Sequence, residues 1–311
     1  MTEMATPVKS KTDRTIRNEQ LVRSATYASV GVAALLIAIK TGAYFATNSV
    51  ALLSSLMDSL LDIVASVVTL FAVRHAQTPA DREHRFGHGK AEALAALAQS
   101  AFIIGSAVLL LFEAGNRLVH PHPIERPEIG VYVIGASIFI TLGLVSYQRW
   151  VVRQTSSMAI GADSLHYRAD LLLNAAVLVA IGLSGWLGWT YADPIFGALI
   201  AVYIAVNAWR IVRGALDMLM DRELPAEDRD NILAIANKHP DARHIHDLKT
   251  RRSGTTLFIQ LHLEMDPELS LLRAHEIADE VEAAIQQAYP DGEIIIHQDP
   301  EGVEEWHPSY R

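Results

Sequence analysis

The sequence predicts a membrane domain of six transmembrane α-helices followed by a C-terminal cytoplasmic α/β domain. Six windows of mostly apolar residues reach the length of about 20 residues that a helix needs to cross a bilayer. After Asp221 the composition becomes that of a soluble domain. The boundaries that we predict within the 311 residues are 1–23 for a flexible N-terminal tail, 24–220 for the membrane domain, 221–300 for the cytoplasmic domain and 301–311 for a C-terminal tail.

The six apolar windows differ in the charge of the segments that join them. The windows lie at about 25–47, 50–73, 92–114, 129–149, 169–189 and 194–214. The links after the first and fifth windows contain no Lys or Arg, whereas the N-terminal segment and the links after the second and fourth windows are richer in basic residues. Because basic residues concentrate on the cytoplasmic side of membrane proteins, both termini are predicted to be cytoplasmic.

The C-terminal segment alternates between helical and strand patterns in the order α-β-β-α-β. "AEDRDNILAIANK" follows Pro225 with acidic residues in its first turn, which favours a helix start. "TTLFIQLHLEM" alternates strictly, so its apolar residues share one face of a half-buried strand. "SLLRAHEIADEVEAAI" has helical spacing behind Ser270, and "RHIHDLKTR" and "EIIIH" supply two further strands. These patterns predict a small two-layer domain.

The bulk composition excludes several classes of protein. Lys and Arg total 26 against 35 Asp and Glu, a net charge of −9, and no basic cluster resembles a nucleic-acid footprint. The chain has no cysteine, which excludes disulfides, thiolate metal sites and cysteine nucleophiles. Any transition-metal site must therefore use His, Asp and Glu.

Two pairs of polar residues stand in the apolar segments at helical spacing. Asp58 and Asp62 are four residues apart in the second window, and His166 and Asp170 are four apart at the beginning of the fifth. A charged side chain at the centre of a span costs about 2.5–3.5 kcal/mol, so it is a functional hypothesis by default. Residues four apart share a helix face. Three carboxylates and one imidazole suit tetrahedral binding of Zn²⁺ or a similar divalent ion.

Structural interpretations of these residues stay open. Either aspartate could pair with Lys40 of the first window, and His166 alone could lie at a helix end near the lipid headgroups.

Four segments together resemble the cation diffusion facilitator family, in particular its bacterial YiiP-type zinc and iron exporters. The segments are "SLMDSLLDIVAS", "HRFGHGKAEALAAL", "ADSLHYRADLLLN" and "IIIHQDP". The resemblance implies a homodimer in the cell inner membrane that exports a divalent metal in exchange for protons, with a C-terminal domain of metallochaperone-like fold. It also implies that Asp58, Asp62, His166 and Asp170 form the transport site.

The same resemblance implies two further metal sites. The first lies between the second and third windows, where Asp81, His84 and His88 match the family pattern. The second is a binuclear site in the cytoplasmic domain, structural or regulatory, formed by His246, His262, His275, His297 and Asp299. We expect His244 to be a surface residue, and His120 and His122 to be solvated residues of the exterior loop.

Physical chemistry supports exchange of metal for protons independently of the resemblance. Metal binds only deprotonated ligands, so protons and metal compete for one site, and an imidazole changes its protonation near neutral pH. The histidine favours Zn²⁺, while Fe²⁺, Cd²⁺, Mn²⁺ and Co²⁺ are also compatible. No covalent chemistry is needed, which predicts a transporter rather than an enzyme. Two alternatives stay open: a membrane-bound metal sensor without transport, and an intramembrane metallohydrolase.

Overall fold

The computed structural model describes residues 13–47, 50–119, 128–187 and 191–303. The chain divides into a helical unit, Arg17–Leu219, and a second unit that contains the C-terminal residues from Met220 onwards. Each unit is described by itself. His120, His122 and most of the two predicted tails lie outside the described residues.

The helical unit consists of six long helices that match the six apolar windows in order. They are α1 (Asp13–Thr47), α2 (Val50–Ala76), α3 (Lys90–Val119), α4 (Glu128–Thr155), α5 (Met158–Leu187) and α6 (Ala192–Leu219). All except α5 are long and apolar enough to cross a membrane by length and composition. Several side chains in the apolar C-terminal half of α5 lie outside the part of the chain that the structure describes.

Two helices begin earlier than the apolar windows predict. α1 begins at Asp13, inside the predicted tail, because its polar first turns also carry Leu21 and Val22, which pack in a cluster with Val73. α5 begins at Met158 rather than near residue 169. A window of mean hydropathy does not detect these first turns, because a helix end can carry polar side chains on one face while its other face packs against neighbouring helices.

A buried carboxylate of α3 stabilises the first turn of α5, which begins before the predicted position. Glu92 is 8% exposed and accepts hydrogen bonds from the Ala159 amide, at 3.3 Å, and from the Ser157 hydroxyl. The first N–H groups of a helix have no partner within the helix and favour a negative charge. Glu92 supplies such a hydrogen-bond acceptor at this end of α5.

The second helix has a polar face that points inward and an apolar face that points outward. Its inner face carries a polar seam, which we define as Ser55, Ser59, Asp62, Ser66 and Thr69, at alternating spacings of four and three residues. Its large apolar residues, by contrast, are exposed on the isolated chain: Leu60, Leu61, Val64, Val68 and Phe71. This inverted arrangement is expected of a helix whose outer face contacts lipid.

The C-terminal unit has the predicted element order. Its elements are α7 (Ala226–Ala236), β1 (His244–Ser253), β2 (Thr256–Met265), α8 (Leu271–Ala288) and β3 (Gly292–Pro300). The sheet order is β1-β2-β3, with β1 antiparallel and β3 parallel to β2. The α8 helix makes the crossover between the two parallel strands, and the Ser270 hydroxyl caps it by accepting from the Arg273 amide at 3.3 Å.

The alternation of β2 divides this unit into an apolar and a polar face. Its apolar residues are buried in one core with residues of α8, a set comprising Leu257, Ile259, Leu261, Leu263, Met265, Ile277, Val281 and Ile285. His262 and Glu264 therefore point to the opposite side of the sheet, and both are only partly buried. The sheet thus presents a polar face on which side chains from three strands meet.

Candidate metal centres

Three of the four residues predicted for the intramembrane site come together between α2 and α5. This intramembrane set consists of Asp62, His166 and Asp170, whose ligand atoms all lie within 4.8 Å of one another. His166 Nε2 lies 2.8 Å from Asp62 Oδ1 and 3.7 Å from Asp170 Oδ2. The His166 side chain is only 9% exposed. The helical spacing of His166 and Asp170 therefore brings both to one face, as predicted.

One carboxylate oxygen of the intramembrane set is suited to bind a cation. Asp170 Oδ2 is buried, and among the described residues it has no hydrogen-bond donor. A buried acceptor without a partner costs about 1–3 kcal/mol, and more when it is charged. A divalent ion held by these three side chains removes this cost, so the residues present fit a metal.

Asp58 lies near the intramembrane set but is not part of it. Its side chain is exposed, and it is not among the residues whose ligand atoms lie within 4.8 Å. Four residues of helix turn through about 400° and rise about 6 Å, so Asp58 stands one turn away from Asp62 and is rotated off the polar seam. Its role as a fourth ligand stays a prediction.

Lys40 does not neutralise the aspartates by an ion pair. Its ammonium donates to Ser59 Oγ at 2.7 Å and to the Ser55 carbonyl at 3.0 Å. Within the described ranges, the structure shows no carboxylate within 4.0 Å of this ammonium. The structural alternative in which Lys40 pairs with Asp58 or Asp62 is therefore not what the fold shows.

A buried carboxylate that the sequence analysis missed lies three residues before His166. Asp163 is fully buried. Its Oδ2 accepts from Ser29 Oγ at 2.5 Å and from Gln148 Nε2 at 2.7 Å, and its Oδ1 accepts from Gln99 Nε2 at 3.1 Å. These partners come from α1, α4 and α3, so four helices meet at one carboxylate. We call this group the Asp163 hub.

The polar seam of α2 connects to the hub and to α5 at two further positions. Thr69 Oγ1 donates to Gln99 Oε1 at 2.9 Å, and Ser66 Oγ lies 2.8 Å from the Tyr167 hydroxyl. The spacing of small polar residues in α2 and the extra acid in "ADSLHYRAD" were the signals available in the sequence. Neither identifies its partner.

The loop set consists of Asp81, His84 and His88, between α2 and α3. His84 Nδ1 and His88 Nε2 each lie 3.4 Å from a different oxygen of Asp81. Asp81 Oδ1 accepts from the amides of His84 and Glu83. The hydrogen bond from the His84 amide in particular lowers the pKa of Asp81 below its ordinary value. The segment is irregular rather than helical, and the turn carries Gly87 at a φ of 77°.

A third imidazole lies near the loop set. The ring of His75, at the end of α2, is centred 4.6 Å from the ring of His88, which is equally far from His84. His75 is not among the ligands predicted from the sequence, because this residue lies at the end of a long apolar helix and forms no pair of ligands at helical spacing.

The inner sheet set consists of His246, His262 and Asp299, one residue from each strand. Asp299 Oδ2 lies 2.8 Å from His262 Nδ1 and 3.6 Å from His246 Nε2. The other oxygen of Asp299 lies 3.0 Å from His297 Nε2. The register aligns His246 with His262, and His262 with His297. Four of the five residues predicted for this site therefore converge.

The fifth predicted residue of the cytoplasmic site stands apart in this chain. His275 lies on α8 with its side chain 63% exposed, and its Nε2 faces Asp279 at 3.7 Å. The structure adds a carboxylate instead: Asp247 Oδ2 lies 3.8 Å from His262 Nε2. Asp247 belongs to an irregularity in the pairing of β1 with β2, which strand alternation does not predict.

Comparison with known proteins follows the same division. The profile described as "Cation efflux transmembrane domain" matches residues 26–220, and "Cation efflux protein, cytoplasmic domain" matches residues 224–301. The chain belongs to the cation efflux family. This confirms the resemblance that four sequence segments predicted, together with the fold class of a helical membrane domain followed by a cytoplasmic α/β domain.

Relatives within the cation efflux family match over most of their length. The chain is 50% identical over 284 residues to the cation-efflux pump FieF of Klebsiella pneumoniae (strain 342), covering 91% of this chain and 94% of that protein. It is 48% identical over 281 residues to FieF of Serratia proteamaculans (strain 568), covering 90% and 93%. A solved structure, the metal-bound C-terminal domain of the CzcD transporter from Thermotoga maritima, is 30% identical over 25% of this chain and 93% of that chain, with a TM-score of 0.25.

Proposed function

We propose that the protein exports divalent metal cations from the cytoplasm across the inner membrane, in exchange for protons that bind to the same side chains. The observation that carries this proposal is the buried intramembrane set of Asp62, His166 and Asp170 in a chain of the cation efflux family. The relatives named as cation-efflux pumps support the direction of transport. The substrate that we favour is Zn²⁺, with Fe²⁺, Cd²⁺, Mn²⁺ and Co²⁺ as further candidates.

The choice of Zn²⁺ rests on the chemistry of the ligands. Zn²⁺ commonly binds imidazole nitrogen and carboxylate oxygen in a tetrahedral arrangement. The intramembrane set provides one nitrogen and two carboxylates, and Asp58 is one turn away on α2 as a fourth ligand. A purely oxygen-based site would favour Mg²⁺, Ca²⁺ or Mn²⁺ instead.

The geometry supports competition between metal and proton at one atom. The 2.8 Å contact between His166 Nε2 and Asp62 Oδ1 is a hydrogen bond in which the imidazole donates to the carboxylate. A metal bound to Nε2 takes the place of that hydrogen. Because ligands must be deprotonated to bind metal, loading a metal releases protons and loading protons releases the metal. Alternating exposure of this site to the two sides of the membrane then gives exchange.

The loop set and the inner sheet set lie outside the long helices and serve other roles in this proposal. The loop set (Asp81, His84 and His88) is exposed enough to exchange its ion with solvent. The cytoplasmic residues hold metal that stabilises a homodimer, because a ligand that binds one assembly state favours that state. His275 stands apart from these residues within one chain and is exposed on α8. Cytosolic metal would then promote its own export.

Flux measurements in proteoliposomes test the proposal. Purified protein is reconstituted with a Zn²⁺-sensitive dye inside the vesicles, and Zn²⁺ is added outside with and without a pH gradient. We expect Zn²⁺ entry that an acidic interior accelerates and that an equal pH on both sides slows. Zn²⁺ binding without flux would identify a sensor, and flux insensitive to the pH gradient would contradict exchange. Metal-dependent hydrolysis by the purified protein would identify an enzyme.

A further inference from the structure

A row of imidazoles crosses the polar face of the cytoplasmic sheet and continues beyond the inner sheet set. Successive ring centroids are 4.6 Å apart between His297 and His262, and 5.1 Å apart between His262 and His246. His244, two residues before His246 on the edge strand β1, extends the row with a nearly parallel ring at 5.9 Å. His244 is exposed, whereas Asp299 at the centre of the inner sheet set is 4% exposed.

The two ring nitrogens of His246 face two different carboxylates. Nε2 lies 3.6 Å from Asp299 Oδ2, on the inner side, and Nδ1 lies 3.3 Å from Glu264 Oε1, on the outer side. Strand pairing places His244 directly opposite Glu264. The ligand atoms of His244, His246 and Glu264 all lie within 4.8 Å of one another. We call these three residues the outer sheet set.

We propose that the outer sheet set is a second position for a divalent cation of the Zn²⁺ class, through which the ion enters and leaves the inner sheet set. Two imidazoles and a carboxylate form a common ligand combination for such ions. The set is partly open to solvent, and it shares His246 with the inner set. This inference rests on the proposed binding of metal by the inner sheet set.

Sharing His246 makes the two positions alternatives. A neutral imidazole offers one nitrogen as a ligand and keeps a hydrogen on the other. With metal on Nδ1, the Nε2 hydrogen would face Asp299, and with metal on Nε2, the Nδ1 hydrogen would face Glu264. Moving the ion inward therefore transfers one proton from Nε2 to Nδ1 through water. The net charge of the ring and ion is unchanged.

This arrangement predicts kinetics rather than a change in equilibrium. His244 holds the ion only in the outer position, so its removal raises the barrier between solvent and the inner set without changing the stability of the final complex. Uptake and release must then slow by the same factor. We expect this factor to be roughly tenfold, the lower end of the effect that partners beyond the direct ligands have on metal sites.

Stopped-flow measurements on the full-length protein test this inference. The parent protein carries Asp62→Ala and Asp81→Ala, which remove the intramembrane and loop sets, so that the remaining Zn²⁺ binding reports on the cytoplasmic domain. Uptake is followed with a fluorescent Zn²⁺ indicator, and release is driven by a chelator. His244→Ala should slow both rates about equally at unchanged affinity, and His244→Asp, which restores a ligand, should recover them. His239→Ala is the control, because His239 pairs with Glu280 at 2.9 Å and belongs to neither set.

Each other outcome overturns the inference. Rates that do not respond to His244→Ala exclude an entry position at His244. Weakened equilibrium affinity makes His244 a ligand of the final complex, and loss of a bound equivalent at unchanged rates makes the outer set an independent site. A parent protein that binds no Zn²⁺ removes the inner sheet set as a metal site, and the outer position with it. Transport by the intramembrane set is unaffected by that last result, so the two failures are distinguishable.

Discussion

The intramembrane set and the inner sheet set both combine imidazole and carboxylate side chains. The first set is carried by helices and the second by the strands of a sheet. In the membrane unit, Asp62 comes from α2, whereas His166 and Asp170 stand one helical turn apart on a separate helix, α5. In the cytoplasmic unit, one ligand comes from each of three hydrogen-bonded strands, aligned by the register. Side-chain contacts between helices change when the helices shift, whereas strand register fixes which residues face each other. A pair of helices therefore suits a site that must release its ion, whereas a sheet suits a site that retains it.

The surroundings of the two sites differ as well. Asp163, near the intramembrane set, is fully buried, and its hydrogen-bond donors among the described residues are neutral side chains of α1, α3 and α4. Asp299, the central carboxylate of the inner sheet set, is hydrogen-bonded to His262 and lies 3.0 Å from the imidazole of His297, whose side chain is 57% exposed. A neighbour of Asp299 that loses its partner can turn to water, and a neighbour of Asp163 cannot.

The largest effect is expected from removing a ligand of the intramembrane set. Asp62→Ala and His166→Ala should each abolish metal flux, because each deletes a direct ligand; removing a partner beyond the ligands already costs about 10–100-fold in affinity or activity. His275→Ala and Asp299→Ala, which alter only the cytoplasmic site, should leave flux measurable. Flux is assayed in proteoliposomes with Asn207→Ala as the control, since in the part of the chain that the structure describes its amide donates to the Tyr203 carbonyl of the same helix, α6. Normal flux in Asp62→Ala would contradict the proposed transport site.

The second-largest effect is expected on stability, when the buried carboxylates Asp163 and Asp299 are each replaced by alanine. Asp163→Ala leaves the donors of Ser29, Gln99 and Gln148 without their shared acceptor, at about 1–3 kcal/mol for each buried group that finds no other partner. Asp299→Ala should destabilise less, because water can reach its neighbours. Thermal unfolding of the detergent-solubilised full-length protein measures both. An equal fall in the unfolding temperature for the two variants would contradict the expectation that Asp163→Ala destabilises the protein more than Asp299→Ala.

The smallest effect is expected at the loop set and concerns pH. The pKa of Asp81 is lowered, chiefly by the hydrogen bond from the His84 amide. Its contribution to stability is therefore fully present above the ordinary aspartate pKa and is lost only as the pH falls through the lowered value. Asp81 stays ionised at any pH that a membrane assay uses, so mild acidification does not remove metal by protonating this carboxylate.

Binding isotherms at a series of pH values check this prediction. In a full-length protein carrying Asp62→Ala and Asp299→Ala, Asp81→Asn should weaken Zn²⁺ binding without changing the slope of the logarithm of the binding constant against pH, because that slope counts the protons released for each ion bound. Transport by a protein that carries Asp81→Asn alone should change little. A smaller slope with Asp81→Asn would show that the carboxylate itself titrates in this range.

Local periodicity explains which parts of the molecule were predictable from the sequence. The pair His166 and Asp170 is four residues apart on one helix, and the alternation of β2 already separates His262 from the apolar core. The Asp163 hub was not predictable, because Ser29, Gln99 and Gln148 are distant in the sequence and meet only when four helices pack. Asp247 and His75 were missed because neither follows a regular period. Asp247 lies in an irregular part of the β1–β2 pairing, and His75 lies at the end of α2. The early start of α5 depends on Glu92, a residue of another helix.

The most direct test is the number of protons that the full-length protein releases when it binds Zn²⁺. Zn²⁺ is added to purified protein in weakly buffered solution with a pH indicator, and the release is compared between the unmodified protein and Asp62→Ala. If metal and protons compete for the intramembrane set, the unmodified protein releases more protons for each protein chain, and the excess shrinks as the starting pH rises. Equal release by the two proteins, with the unmodified protein still binding more Zn²⁺, would contradict exchange at these side chains.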